Sequence, residues 1–383
     1  MAQHLKYYFT HKLSLFIGLV FTCNSLLFGS WITRIPDVKD SLGLSEAELG
    51  LALLGAPIGA LMIMPISGWI IARLQMGRTV IFGSILHAAS LPLLVVADSF
   101  WMLVGALVIF GYTNAIMDIS MNAASAVIER KLKKPIMSTC HGMWSIGAMI
   151  GAGVGSLFVG YETAPLTHLT LVVAAIVVIL ITVSGALFGI RETRNLGDKV
   201  FAFPKGVLLL LAFLAFCILI GEGAIADWSA VYMKEVIQSD PFLTGIAYSG
   251  FALLMTVGRL SGDALIPKFG KQKLLFFGSL IASIGLAMAI IFQQQYVVIA
   301  GFSLAGLGFS CLVPVLFISA ANVPGYTSGT GIAAVTTVGY AGFLVGPPFI
   351  GLLAEYYSLT VGLCFVLFSI LLVSVLSLKI KFN

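Results

Sequence analysis

Apolar runs of about 20 residues or more follow one another along nearly the whole chain, broken only by short polar stretches. Runs of that length and continuity suit helices that cross a lipid bilayer and little else. Hydropathy places helices near residues 13–34, 45–72, 79–97, 100–128, 136–160, 168–190, 206–233, 242–264, 273–292, 296–320, 329–354 and 358–379. The expected class is an all-α membrane protein with twelve transmembrane helices. Composition agrees: 59% of the residues are hydrophobic and 10% charged, against roughly 25% charged in soluble domains. Too little charge exists to cover a globular surface. The start, "MAQHLKYYFTHK", is polar and basic and leads into a long apolar run with no small-residue cleavage site. It reads as the entry to an uncleaved first span.

Twelve spans put both termini on one side. Lys and Arg in the breaks divide seventeen to three between the two sides, with Arg259 set apart near the inner end of the eighth helix. The rich side includes "RKLKKP" at 130–135; the poor side holds Arg34, Lys39 and Lys234. Positive charge accumulates on the cytoplasmic face, so both termini are expected in the cytoplasm of a cell whose plasma (inner) membrane holds the chain. The same bias accounts for the net charge of +5. It calls for no nucleic acid. The five cysteines lie in apolar runs without CxxC spacing, so disulfides and zinc gain no support. No Walker A sequence, nucleotide fold, protease signature or metal cluster appears, so no cofactor, metal or enzymatic activity is expected.

The longest basic break, "RETRNLGDKVFAFPK", falls at mid-chain. It divides an N-terminal six-helix bundle, 1–190, from a C-terminal one, 206–383, with 191–205 as a cytoplasmic linker. The halves repeat one feature. "GWIIARLQMGR" joins the second and third helices, and "GRLSGDALIPKFGK" joins the eighth and ninth. Gly77 and Gly270 serve as the matching glycines of two tight basic turns.

Twelve spans as six plus six, the central linker and these two loops resemble the major facilitator superfamily over essentially the whole chain. The first loop keeps Gly68 and Arg73 of that family's pattern but has Ala72 for its acid and Gln75 for its second glycine; the second keeps Asp263 and Gly270. By that resemblance Arg73, Arg78, Arg259 and Asp263 are candidates for gating. "GSWITRIPDVKDSLGLSEAELG", "MDISMNAASAVIER", "STCHGMWSIGA" and "GEGAIADWSAVYM" resemble the YbjJ-type bacterial permeases, a group similar to the fucose:proton symporter branch. The resemblance implies a carrier in which two bundles alternate around a central cavity lined by the first, fourth, seventh and tenth helices.

Polar residues inside the spans are the candidates for function. In "GYTNAIMDISMN", Asn114, Asp118 and Asn122 share one helical face. Asp118 lies eleven residues from Glu129, about 16 Å at 1.5 Å per residue, close to mid-membrane. An ionised carboxylate facing lipid there would cost about 3 kcal/mol. Asp118 is therefore expected to face a wet interior and to carry a proton or bind solute; a carboxyl locking two helices is the alternative. On the seventh helix, Glu222, Asp227 and Trp228 form a second group, with Gly221 and Gly223 expected to let the helix unwind. Glu222 and Asp227 are proton-coupling candidates, and Glu222 and Trp228 solute-binding ones; Trp228 beside Asp227 also suits an outer-interface anchor. Asn24, near mid-depth in the first helix, fits a solute hydrogen bond or a helix–helix one. His141, one turn into the fifth helix, is a candidate proton relay to Asp118. Arg34 ends the first helix as an outer gate or a snorkelling cation. Pro314 is expected to bend the tenth helix.

Two functions follow as expectations. One is a proton-coupled secondary transporter, a symporter for a small polar solute such as a sugar or sugar derivative, with solute, protons and the bilayer as partners and the monomer as the working form. The other is a proton-driven efflux antiporter for amphipathic compounds, suggested by 27 phenylalanines and 13 methionines. A Gly-Pro pair of the kind drug antiporters of that family carry on helix five is absent there and stands at Gly346–Pro347 instead, which weighs towards the first. A sensor or scaffold lacks any soluble domain to transmit a signal.

Overall fold

The computed structural model describes residues 7–190, 204–326 and 328–380, with the side chains of Gly68, Ala72, Asp263, Ala264, Pro267, Ser328 and Gly329 outside that description. Most of the expected linker, up to residue 203, and Lys6, Arg191, Arg194, Lys199 and Lys381 therefore lie outside the described residues. Within them, no strand occurs and twelve helices are long and apolar enough to cross a membrane. These are α1 (Lys12–Ile32), α2 (Glu46–Ser67), α3 (Met76–Leu94), α4 (Phe100–Leu132), α5 (Met137–Gly160), α6 (Pro165–Leu187), α7 (Val207–Val236), α8 (Pro241–Gly262), α9 (Lys271–Phe292), α10 (Gln295–Ala320), α11 (Thr330–Tyr356) and α12 (Leu359–Ser377). A short helix, Ile35–Leu42, follows α1.

The chain divides into two compact units, Met1–Leu44 with Ala52–Arg194 and Ser45–Leu51 with Asn195–Asn383. Each has the same internal wiring. In the first, α1 packs on α5 and α6, α2 on α4, and α3 on α4 and α6; in the second, α7 packs on α11 and α12, α8 on α10, and α9 on α10 and α12. Adding six to each helix number converts one pattern into the other.

Small residues set the closeness of the principal pairs, since in lipid packing rather than water exclusion drives helix association. A Cβ on Gly29 of α1 would stand 2.8 Å from Ala152 N of α5, and one on Gly342 of α11 would stand 2.6 Å from Phe216 O of α7. These are backbone contacts that no larger residue permits.

Two expectations about backbone breaks need correction. Gly221 and Gly223 do not unwind the seventh helix: Val207–Val231 is continuous α-helix, followed by a π turn at Tyr232–Val236. Their missing side chains make room instead. A Cβ on Gly221 would meet the Phe309 ring at 2.6 Å, and one on Gly223 the Phe343 ring at 2.9 Å. In the tenth helix the chain does more than bend at Pro314. The α-helix stops at Phe309 and restarts at Leu312, because Pro314 offers no N–H and its ring crowds the carbonyl four residues earlier, at Ser310.

The repeated turns also align differently from the glycine match. Gln75 (φ 71°, ψ 141°) precedes the helix at Met76, and Gly270 (φ 81°, ψ 156°) precedes the helix at Lys271. Gln75, and not Gly77, is therefore the counterpart of Gly270. Gly77 is required for another reason: a Cβ there would collide with the Leu187 carbonyl. A glutamine at such a φ carries strain that glycine avoids. Gln75→Gly is expected to stabilise the fold by about 1 kcal/mol, read as a higher unfolding midpoint in detergent; a lower midpoint would refute the strain.

Candidate functional site: polar clusters within the two units

In the first unit, Asn24 ties three helices together. It is 4% exposed, too deep in α1 to leave a polar atom unmatched. Its Nδ2 donates to Asn114 Oδ1 of α4 at 2.8 Å and to Met117 Sδ at 3.4 Å, while its Oδ1 accepts from Trp144 Nε1 of α5 at 2.9 Å. The amide thus serves α4 and α5 at once. Phe28 lies 6.4 Å from Trp144, ring centre to ring centre. Trp144 sits within the quoted "STCHGMWSIGA" but draws no notice as a hydrogen-bond donor from sequence alone.

One turn further along α4, Asn122 Nδ2 donates to Asp118 Oδ1 at 3.1 Å and to the Asp118 carbonyl at 2.9 Å. This is the i, i+4 pairing that the spacing allows. Asp118, Asn114 and Asn122 are half-buried rather than sealed. Asn122 is the hydrogen-bond partner of the Asp118 carboxylate among the described residues, so the structure does not join Asp118 to His141. His141 is exposed and meets Phe21 edge-on at 5.4 Å.

Arg34 neither snorkels nor lies open. It is 2% exposed and forks to three partners: Nη1 to Asp37 Oδ2 at 2.7 Å, Nε to His168 Nδ1 at 3.0 Å and Nη2 to the Thr163 carbonyl at 2.9 Å. All belong to the first unit. Accepting at Nδ1 makes His168 the neutral tautomer with its proton on Nε2. Its ring stacks on Phe158 at 4.5 Å. Sequence alone does not single out His168; one histidine in an apolar run carries no signal of its partner.

In the second unit, Glu222 Oε2 of α7 lies 3.7 Å from Arg259 Nη2 of α8. That is an ionic contact beyond hydrogen-bond length. Glu222 Oε1 is buried without a hydrogen-bond partner among the described residues. Tyr248 of α8 interacts electrostatically with Glu222, Arg259 and Asp227 together, and nothing in the sequence points to it. Asp227 is half-buried, with no direct ionic or hydrogen-bond partner among the described residues. Trp228 is fully buried with Nε1 unpartnered, and Ser229 Oγ is in the same condition. Full burial corrects the reading of Trp228 as an interface anchor.

Arg73 and Arg78 are exposed, at the two sides of the turn after α2. The side chain of Asp263 lies outside the described residues. No group of three or more His, Cys, Asp or Glu suited to a metal occurs among the described residues.

Chemically, each unit places carboxyl groups inside apolar spans. In the first a carboxylate is held by an amide; in the second one is set against a guanidinium at a distance that does not fix it. Groups so held can exchange a proton or a partner without unfolding their helices.

Comparison with known proteins agrees with this architecture. A family model described as Major Facilitator Superfamily matches residues 15–347. The chain is similar to an uncharacterised MFS-type transporter of Yersinia pestis, 34% identical over 345 residues that span 90% of this chain and 89% of the relative. Among solved structures it is similar to the nucleoside transporter NupG, at 18% identity and TM-score 0.74 over 97% of this chain and 100% of that one. It is also similar to a variant of the fucose:proton symporter FucP of E. coli, at 15% identity and TM-score 0.64 over 97% of this chain and 99% of that one.

Proposed function

The chain belongs to the major facilitator superfamily, and from that premise we propose that it is a proton-coupled secondary transporter that moves a small polar organic solute by alternating access. The observation that carries the reading is the placing of Asp118 and Glu222, two carboxyl groups inside apolar spans, each half-buried and neither fixed by a close ion pair. Ionisable residues at membrane depth are expensive, and function is the usual reason they persist.

In this reading Asp118 and Glu222 carry the proton, with Asp227 and His141 as further coupling groups. Asn114 and Asn122, half-buried, supply solute hydrogen bonds, and Asn24 and Trp228, buried in this conformation, join them when the helices part during the transport cycle. A sugar or sugar derivative suits such amide- and indole-bearing surfaces, and FucP, a fucose symporter by name, shares the fold. Arg34, Arg73, Arg78, Arg259 and Asp263 serve gating, Arg34 by holding the end of α1. The charge bias supports both termini in the cytoplasm and residence in a bacterial inner membrane; the reading also takes 1–190 and 206–383 as the six-helix bundles and the monomer as the working unit.

The test is transport in proteoliposomes. A thermal-shift screen of sugars, nucleosides and organic acids on the purified protein supplies the solute. With the outside made acidic, the proposal expects inward accumulation of that solute. Outward movement under the same gradient would favour the efflux antiporter, and no response to pH would overturn coupling.

A further inference from the structure

Trp144 of α5 is half-buried, with its polar atom turned inwards. The indole Nε1 donates to Asn24 Oδ1 of α1 at 2.9 Å, so the N–H is committed within the unit and the ring carries what exposure remains. A tryptophan at a wet boundary ordinarily does the reverse, keeping its N–H in water and its ring in the apolar phase. Packing alone does not call for this arrangement: Trp31 and Trp228 are 3% and 0% exposed, as tryptophans that only fill a core are.

The neighbours of Trp144 show what its ring borders. One amide, that of Asn24, joins Trp144 to Asn114, which sets the indole beside the polar face of α4. That face continues through Asp118 and Asn122 at intervals of four residues, and all three side chains are half-buried. Polar groups at that depth are not left open to lipid, so the ring beside them borders water as they do. Phe28, one turn from Asn24 on α1, is half-buried too, its ring centre 6.4 Å from that of Trp144 and tilted by 33°. The row uses Asn114 Oδ1, Asp118 Oδ1 and Asn122 Nδ2 in its internal bonds. No hydrogen bond among the described residues takes Asn114 Nδ2, Asp118 Oδ2 or Asn122 Oδ1. A donor and two acceptors therefore stand alongside an aromatic face.

We propose that Trp144 is a specificity-determining residue of the solute site, and that it selects a polyol closed into a ring, such as a pyranose, over the open-chain polyol with the same hydroxyls. This rests on the sugar reading given above and narrows it. A pyranose has a flat side of C–H groups, which carry partial positive charge and settle on the negative face of an indole. Its hydroxyls leave the edge of the ring, where Asn114 Nδ2, Asp118 Oδ2 and Asn122 Oδ1 meet them. An open-chain polyol has those hydroxyls but no such side, and it must also freeze torsions that the ring has already fixed. Asn24 is the positioning residue: it sets the orientation of the indole before solute arrives, so less remains to be ordered on binding.

The test is equilibrium binding to the full-length protein in detergent, with no pH gradient. The probes are three matched pairs: L-fucose with L-fucitol, D-galactose with galactitol and D-glucose with sorbitol. In each pair reduction opens the ring and keeps its hydroxyls. Titrating the unfolding midpoint gives an apparent affinity for each probe. In the parent, at least one ring sugar is expected to bind about tenfold more tightly than its open-chain partner. Trp144→Leu, which keeps bulk but has no aromatic face, should bring that ratio close to one. Trp101→Leu, at a position 79% exposed, should leave the ratio at the parent value. A Trp144 that served packing alone would lower the unfolding midpoint of Trp144→Leu and leave the ratio unchanged. Trp144→Phe keeps a ring and gives a second reading should Trp144→Leu fail to fold: the change in tryptophan emission on sugar binding, present in the parent, should vanish. An unchanged ratio in Trp144→Leu, an emission change that persists in Trp144→Phe, or a parent that binds no ring sugar better than its open-chain partner overturns the proposal. Because no gradient is applied, ring selectivity can fail while proton-coupled transport stands, and coupling can fail while ring selectivity stands.

Discussion

Asp118→Asn is expected to abolish gradient-driven accumulation of solute while leaving passive exchange across the membrane in place. The amide is the same size as the carboxyl, and its Oδ1 can still accept from Asn122 Nδ2, so the 3.1 Å contact and the helix around it survive. What disappears is a group that can gain and lose a proton. With one proton per solute, each pH unit of gradient drives accumulation of about tenfold, equivalent to about 1.4 kcal/mol. The variant should hold equal concentrations inside and out whatever the gradient, while still exchanging labelled for unlabelled solute. Accumulation at the parent level in Asp118→Asn would remove Asp118 from the coupling path.

The largest effect on stability is expected at Arg34. Its guanidinium holds Asp37, His168 and the Thr163 carbonyl simultaneously, and its side chain is 3% exposed. Arg34→Ala leaves His168 Nδ1 and the Thr163 carbonyl to find other donors in a site built for one planar cation. It also takes from Asp37, which is 24% exposed, its 2.7 Å ion pair with the guanidinium. Removing one partner of a buried charged network costs about 3–5 kcal/mol; because Asp37 retains contact with solvent, about 3 kcal/mol is the better expectation. Arg34→Lys keeps the charge but cannot fork to three acceptors in one plane, so it should recover less than half of the loss. The measurement is the detergent-unfolding midpoint of the three proteins. If Arg34→Ala matches the parent, the network adds nothing to stability.

Much of the architecture was legible because lipid imposes it. A run of about 20 apolar residues has one economical conformation in a bilayer, so the twelve spans could be read off directly. The pairing of Asp118 with Asn122 was equally open to view, since it depends only on helical periodicity. Partners distant in sequence were not. Asn24 and Asn114 are ninety positions apart, and no local pattern says that one amide will bridge to the other and to Trp144. Glu222 meets Arg259 for the same reason: the α7–α8 geometry brings them together, not their spacing. Glycine misled in two ways. Gly221 and Gly223 suggested an unwound helix, but a missing side chain signals either a free backbone or a close neighbour, and sequence does not distinguish these. Gly77 suggested the left-handed turn position because it is glycine, whereas the turn had placed Gln75 there and kept Gly77 for contact with α6.

The central claim is that the carboxyl groups of α4 and α7 border water rather than lipid or dry protein. The direct measurement is the reactivity of substituted cysteines. With Cys23, Cys140, Cys217, Cys311 and Cys364 replaced, Asp118→Cys and Glu222→Cys are treated in turn with a charged, membrane-impermeant thiol reagent. Ile109→Cys, at a position 48% exposed and on the opposite side of α4 from Asp118, serves as the control expected to face lipid. The account predicts that the first two react and that solute slows them, while Ile109→Cys stays unmodified. If Asp118→Cys and Glu222→Cys react no faster than Ile109→Cys, the carboxyl groups do not border water and the transport reading fails.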